Sequence, residues 1–520
     1  METHGLAAGR VGAASIAFLG VAAAAPIVTL VTVVPAMFAS GAGPLVPWVF
    51  AGAGPALLLL CSGLASMSRR FPSTGAAYSL VARGLGRPAG LAVAWLAVAG
   101  YHAIQFGLYA LAGVAAAPLL SSFLGLTLPW WVVAAACWAI VAICGTMRIE
   151  VAAGLIGLFA VAQAAVLTGL AAANVLQPYG GRVTAASMTV ADPAVLDRPA
   201  LGLLLAVAVL AFAGFESTAA YAEEGFQPRR SAGFGAHGAV LLLTLLLAGL
   251  TWSMLVAAGP ERAAAVAGAS GPEMLFALAA ERLAPWAVTL GRFMLLAGVV
   301  AAILALHQVI ARQLFALGRE RVLPGVLGLA RGRTAAPRSA SIAQSLIAGA
   351  TLTGAYLAGA DPGPGTARWL IVGGALSILV LLLLVSVAAL LHLNRVPGRE
   401  GAWGRFVAPV LSTVALGSLA VPAFGDLPAL LAMPAGYPLV RAVPAALAGC
   451  VLLAVAHALL LRRFAPVRYA GIGLAGFVVV VKPPPFTPHA EPEAPPAIPR
   501  QRDPGAHRPE RVSQRSPGPG

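Results

Sequence analysis

A carboxylate stands where a carboxylate is expensive. The stretch LAFAGFESTAAYAEEGFQPRR, residues 210–230, begins in an unbroken apolar run and reaches Gly214, Phe215 and Glu216 before it ends in Glu223, Glu224, Arg229 and Arg230. An ionised side chain at the centre of a bilayer costs on the order of 3 kcal/mol. A carboxylate kept there must face a cavity, hold a partner or carry a proton. Three roles follow for Glu216: partner of a substrate amine, proton carrier, or acceptor for backbone amides freed by an interrupted helix. Glu223 and Glu224 lie nearer the polar end with Arg229 and Arg230, which fits a solvated or salt-bridged helix end.

A second interruption matches the first. The run SIAFLGVAAAAPIVTLVTVVPAMF carries Pro26 near its middle, and proline removes a backbone donor and crowds the carbonyl four residues back. Counted from run starts near 12 and 200, Pro26 and Gly214 lie equally deep. The two runs are five spans apart, so they cross the membrane in opposite directions. Paired interruptions in inverted halves point to a transporter binding site. Unwound backbone in hydrocarbon is tolerated only against protein or a wet cavity. A plain kink at Pro26 and close helix approach at Gly214 remain the alternative. Tyr101, Gln105 and Tyr109 follow at i, i+4 and i+8 and so share one helix face, for substrate or for interhelical hydrogen bonds. His102 reads as a core or interface histidine.

These residues need long apolar elements to position them. The chain has 520 residues, is 59% hydrophobic and only 10% charged, with mean hydropathy +0.88, where soluble domains carry about 25% charged residues. Twelve membrane helices are expected, roughly at 12–38, 45–67, 89–117, 129–147, 151–175, 200–222, 235–258, 285–308, 340–359, 368–392, 407–433 and 440–462. The runs are continuous, not alternating, which excludes a β-barrel. The net charge of +15 comes from arginines in short loops, so no nucleic-acid partner is implied; the lipid bilayer is the surrounding partner. With the N-terminus inside, sixteen loop arginines, among them Arg69, Arg70, Arg312, Arg319, Arg331 and Arg333, face the cytoplasm. Six face outward: Arg182, Arg198, Arg262, Arg282, Arg368 and Arg441. By the positive-inside rule both termini are expected in the cytoplasm, and a plasma-membrane location is expected. A permease domain over 1–464 and a proline-rich disordered cytoplasmic tail over 465–520 are expected; the run GIGLAGFVVVV, 471–481, is too short to span. Cys61, Cys137, Cys144 and Cys450 sit in apolar runs and read as packing residues.

FAGFES followed by AEE and QPRR resembles the sixth span of the amino acid–polyamine–organocation (APC) superfamily. FPSTGAAYSLVARGLGRPAGLAVAW, residues 71–95, and ARQLFALGRERVLP, residues 311–324, resemble its loops after the second and eighth spans. The resemblance implies an all-α membrane protein with a five-plus-five inverted repeat, about 12–175 and 200–392, and two further helices about 407–462. It also implies a small-molecule amino acid or amine meeting unwound backbone at Ala25, Pro26, Ile27, Val28 and Thr29, and at Phe212, Ala213, Gly214, Phe215 and Glu216. Tyr101 and Gln105 would line the site, and Phe212 or Phe215 would gate it. The chain departs from the family's ion sites. Its one lysine, Lys482, lies in the tail; the fifth span offers Gln163 and Thr168; and LLAGVVAAILALHQVI in the eighth holds no hydroxyl residue. A coupling proton would then fall to Glu216 or to His307.

An enzyme would need clustered histidines and carboxylates. His102, His237, His307, His392 and His457 are scattered without ligand spacing, so neither a catalytic centre, a metal nor a cofactor is expected. A secondary transporter working by alternating access is the leading expectation. An amino acid or polyamine exchanger and a nutrient sensor on the same fold are the alternatives.

Overall fold

The computed structural model describes residues 5–189, 198–330, 336–360 and 364–474. The tail from 475, with Lys482, and the loop arginines Arg331 and Arg333 lie outside these. Among the described residues the chain is helical throughout, with one isolated bridge between Val11 and Gly225 and no strand. Each expected apolar run forms helix, because in hydrocarbon a helix alone satisfies every backbone group within its own segment. Ten of these helical segments and an eleventh, Ala263–Ala280, are long and apolar enough to cross a membrane. Trp130–Gly145 is shorter, and Arg338–Leu357 falls outside that group. Ala263–Ala280 is not among the spans expected from the sequence. It is Ala263–Ser270 and Met274–Ala280 joined at Gly271, and at 1.5 Å per residue neither piece can reach across about 30 Å of hydrocarbon.

The first and sixth runs are each broken, and the breaks are shorter than expected. Ala13–Ala24 is followed at once by Pro26–Thr32, and Ala25 alone turns left-handed, with φ 50° and ψ 60°. Ile27, Val28 and Thr29 are therefore helical, not unwound. The reason is Pro26 itself: at the first position of a new helix its missing N–H costs nothing and its fixed φ suits the helix. In the sixth run Arg198–Leu210 gives way to a turn through Gly214, then to a tightly wound 3₁₀ segment, Phe215–Tyr221. The hydrogen bonds Phe212 N–H to Val209, Ala213 N–H to Leu210, Phe215 N–H to Phe212 and Ser217 N–H to Gly214 all skip one residue fewer than an α-helix would. Such a long 3₁₀ run is unusual and marks strained or hinge backbone.

The remaining helices hold these two in place. Arg87–Leu124, which carries Tyr101, packs closely on Pro364–Arg395: a Cβ on Gly374 would lie 2.5 Å from the Gly100 carbonyl oxygen. Small residues at such crossings let backbones meet where lipid supplies no hydrophobic drive. The body also runs past the expected boundary at 464. Pro466–Gly471 forms a helix, and the Gly473 N–H donates to Tyr78 Oη at 3.0 Å and to Glu320 Oε2 at 3.1 Å. Residues 465–474 thus belong to the body, because their backbone is tied to the short helix Ala77–Gly84 and to the end of Pro285–Arg319. All four cysteines are free.

Gly374→Val is expected to force Arg87–Leu124 away from Pro364–Arg395. The loss should be about 1–3 kcal/mol, as for other overpacked cores, read as a lower unfolding temperature of the detergent-solubilised protein.

Candidate functional site

The two breaks touch. Gly214 adopts φ 119°, and a Cβ built on it would lie 2.6 Å from the Ala23 carbonyl carbon and 2.8 Å from the Ala24 nitrogen. Backbone therefore rests directly on backbone. No residue with a side chain fits there, both because of the contact and because such a φ is unfavourable for L-residues. The last carbonyls of Ala13–Ala24 have lost their helical donors: Pro26 has no N–H, and the Ala25 N–H turns back to the Ala22 oxygen at 3.0 Å. The end of this helix is accordingly a locally negative surface.

Glu216 binds the break. Its Oε2 accepts from the Gly214 N–H at 2.9 Å, and its Oε1 accepts from Tyr101 Oη at 2.8 Å. The carboxylate is buried, and each of its oxygens holds one protein donor while retaining a further lone pair. One oxygen fixes the glycine turn and the other ties it to Arg87–Leu124. Ala25, Pro26, Ile27, Val28, Thr29, Phe212, Phe215 and Glu216 are buried, and Ala213 is half-buried. Phe212 and Phe215 are fully enclosed in this conformation. Beside the first break Gln163 reaches across Gly298 and donates to the Met294 carbonyl at 3.1 Å. It lines a small pocket together with Val21, Ala22, Phe159 and Gly298. Thr168 turns back on its own helix, to the Ala164 carbonyl.

The other expected residues go elsewhere. Gln105 Nε2 donates to the Ile303 carbonyl at 3.1 Å and its Oε1 accepts from Gln344 at 2.8 Å. Tyr109 is buried with its hydroxyl unpartnered among the described residues. His307 Nε2 lies 2.9 Å from Ser341 Oγ and is packed against Gly145. It contacts two neighbouring helices. Three hydroxyls that the sequence does not single out follow Glu216 directly: those of Ser217, Thr218 and Tyr221 are buried without a protein partner among the described residues. Their clustering after the carboxylate is the signal that could have found them.

A layer of paired charges lies beyond the tight 3₁₀ segment. Glu224 is 2% exposed and takes a forked hydrogen bond from Arg312, Nε to Oε2 at 2.6 Å and Nη2 to Oε1 at 2.9 Å, with the guanidinium 4.6 Å from the Tyr221 ring centroid. It is a buried ion pair, not a solvated end. Arg312 is not a loop residue, as expected from a run ending at 308; the helix continues to Arg319 and carries Arg312 inside. The Glu224 carbonyl also accepts the N–H groups of Arg10 and Val11. Glu223 accepts from Arg319 at 2.7 and 3.0 Å and from the Thr74 N–H at 2.8 Å. Burial pushes the Glu223 carboxyl up, and Arg319 with Thr74 outweighs it, holding it below the ordinary carboxylate value.

Two broken helices running in opposite directions thus meet backbone to backbone, with a buried carboxylate pinning the contact. The chain belongs to the amino acid permease family within the APC superfamily: a family profile described as "Amino acid permease" matches residues 11–456. No individual curated protein matches the sequence. The family and the apolar helices make this an integral membrane protein and point to a transporter of amino acids or related compounds.

Two outcomes follow. Removing one member of the buried pair, as in Arg312→Met, should cost about 3–5 kcal/mol, while Glu224→Leu/Arg312→Met together should be much milder; unfolding of the three proteins in one detergent measures both. A carboxyl whose value is depressed on folding contributes stability that is present above the unfolded value, about pH 4.3 for glutamate, and lost as pH falls through the folded one. Hydrogen exchange at the Thr74 amide, which donates to Glu223, should thus stay slow at neutral pH and accelerate only below the ordinary carboxylate range, and Glu223→Gln should remove that acid step.

Proposed function

We propose that this permease moves an amino acid or related organic amine across the plasma membrane by alternating access around the Ala25 and Gly214 breaks. The observation that carries this reading is the Gly214 contact on Ala23 and Ala24, pinned by Glu216. The negative end of Ala13–Ala24 and the Glu216 carboxylate together suit a cationic amine. The buried hydroxyls of Ser217, Thr218 and Tyr221 supply polar partners along the same segment. The substrate site comprises residues 25–29 and 212–216 with Tyr101. Gln105, turned toward Ile303 and Gln344, supports it from behind.

Twelve spans are arranged as two inverted repeats, about 12–175 and 200–392, with two added helices and both termini in the cytoplasm. The opposed, equally deep breaks support the repeat, and the arginine-rich loops support the orientation. Uptake is proton-linked through Glu216. Support comes from its bonding: each oxygen holds one structural donor, so adding a proton weakens the bonds that fix the break. Charge and hinge conformation are thereby the same variable. His307, bonded to Ser341 away from the break, is the second candidate.

The test is uptake of a labelled amino acid panel into proteoliposomes under imposed pH or sodium gradients. The wild type should accumulate substrate when the outside is acidic, Glu216→Gln should lose gradient-driven accumulation, and Gly214→Leu should insert normally yet transport at background level. Wild-type uptake that follows sodium and ignores pH would sink the coupling. Unchanged uptake by inserted Gly214→Leu would move the substrate site.

A further inference from the structure

Adjacent to Tyr101, one residue along the same helix, lies a second buried polar cluster that the substrate site does not use. It contains His102 and Gln105 on Arg87–Leu124, Ile303 and His307 on Pro285–Arg319, and Ser341 and Gln344 on Arg338–Leu357. His102 is 9% exposed and Gln344 is fully buried. Two side-chain atoms in it have no partner among the described residues: His102 Nε2 and Gln344 Oε1. His102 and Gln105 lie one turn apart on the same helix, where side chains are neighbours, and Gln344 bonds Gln105 there.

The polarity of each side is fixed by a backbone carbonyl. A carbonyl oxygen only accepts. The Ile303 oxygen therefore requires the NH₂ end of Gln105, at 3.1 Å. That leaves the Gln105 oxygen to face Gln344, which must present its own NH₂ end, at 2.8 Å. The Gln344 oxygen is what remains, and it can only accept. On the other side the Val98 oxygen lies 2.7 Å from His102 Nδ1, so Nδ1 carries the hydrogen. In the neutral ring Nε2 is then a bare lone pair. Two separately anchored side chains thus end in two acceptors, each without a partner among the described residues.

We propose that His102 and Gln344 form a buried proton-binding site, in which His102 takes up a proton on Nε2 and donates it to the Gln344 oxygen. The step adds one proton to the ring and one N–H···O bond, and it breaks no bond. Burying an imidazolium is costly without partners; here both ring N–H groups would have a carbonyl, Val98 on one side and Gln344 on the other. The bond closes a polar run from the Ile303 carbonyl through Gln105 and Gln344 to His102, joining three helices, one of which carries Tyr101, the residue that holds Glu216. The titratable group facing this site is His307, from Pro285–Arg319 and itself bonded to Ser341; Glu216 is linked to it only through Tyr101 on the same helix as His102. Arg338–Leu357 brings only hydroxyl and carboxamide groups there. His102 is a positioning residue: it acts on the site through Tyr101 and its helix.

This rests on the reading of Glu216 and Tyr101 as part of the transport site, but its primary test does not. Full-length protein labelled with ¹⁵N-histidine is placed in lipid nanodiscs and titrated from about pH 8 to about pH 5, the range in which histidine changes charge. One histidine should pass from the Nδ1–H neutral tautomer to the doubly protonated ring, and that signal should vanish in His102→Gln. In Gln344→Leu the ring should stay neutral over the same range. If His102 remains the neutral Nδ1–H tautomer down to about pH 5, the donor between the acceptors is an ordinary water and the proposal is overturned. The second readout is uptake at equal pH on both sides. Wild-type apparent affinity should change about tenfold across the range, matching one pKa unit or about 1.4 kcal/mol of linkage, and His102→Gln should flatten the profile while keeping uptake. A flat wild-type profile with a titrating His102 would remove the functional link. Wild-type uptake that ignores the pH gradient while His102 still titrates would overturn the Glu216 reading and leave this site standing.

Discussion

Everything at the centre of this protein depends on one contact in which backbone lies on backbone. Gly214 meets Ala23 and Ala24 at a separation that excludes even a methyl group, and both chains are at that point unable to complete their own helical hydrogen bonds. In hydrocarbon such groups must be answered by protein. Glu216 supplies part of the answer, since its carboxylate accepts the Gly214 amide. The carboxylate in turn needs a reason to be buried, and Tyr101 with the Gly214 amide is that reason. Break, carboxylate and tyrosine are mutually required: removing any one leaves another buried group unsatisfied. A carboxylate that looks costly in the sequence is costly only in isolation.

The breaks are legible in the sequence because proline and glycine have fixed backbone consequences. Their extent is not. Pro26 reads from sequence as the middle of an unwound stretch, yet it opens a new helix after a single left-handed residue, Ala25. Sequence marks where a helix cannot continue; it does not mark how soon the next can begin. Gly214 carries a stronger signal, since a buried carboxylate two residues on needs a nearby donor and a turning glycine frees one. The spacing of Tyr101 places it on a shared helix face with Gln105 and Tyr109 but does not reveal its partner, because Glu216 lies on a distant run. The same spacing picks out Gln105, which points to Ile303 and Gln344 instead of the break. Periodicity assigns residues to a face and says nothing of which neighbour that face meets.

Arg312 shows the opposite failure. Arginines flanking apolar runs read as loop charges, and for most of them that is a fair guide to orientation. Arg312 is instead nearly fully buried and bidentate to Glu224. A long helix that overshoots the hydrocarbon carries its next arginine inside whenever a carboxylate from another segment is waiting, and single-run hydropathy cannot see that carboxylate.

The resulting charge layer bears on how the central contact is used. Glu223 and Glu224 follow the 3₁₀ segment directly, and their partners Arg319 and Arg312 belong to Pro285–Arg319, while the backbone of Glu224 also holds Arg10 and Val11 just before Ala13–Ala24. Both broken helices are therefore tied, at the same end, to one unbroken helix. The pairs differ in kind. Arg319–Glu223 retains some exposure, whereas Arg312–Glu224 is almost wholly enclosed. A partly exposed pair exchanges its partner for water at little cost, but separating a buried one leaves two desolvated charges. Motion of the broken helices that keeps Arg312–Glu224 intact must pivot about it, and motion that opens it must first admit water to that end. Either way the buried pair ranks the available movements by cost: the two breaks supply the freedom, and Glu224 with Arg312 limits where that freedom can be used.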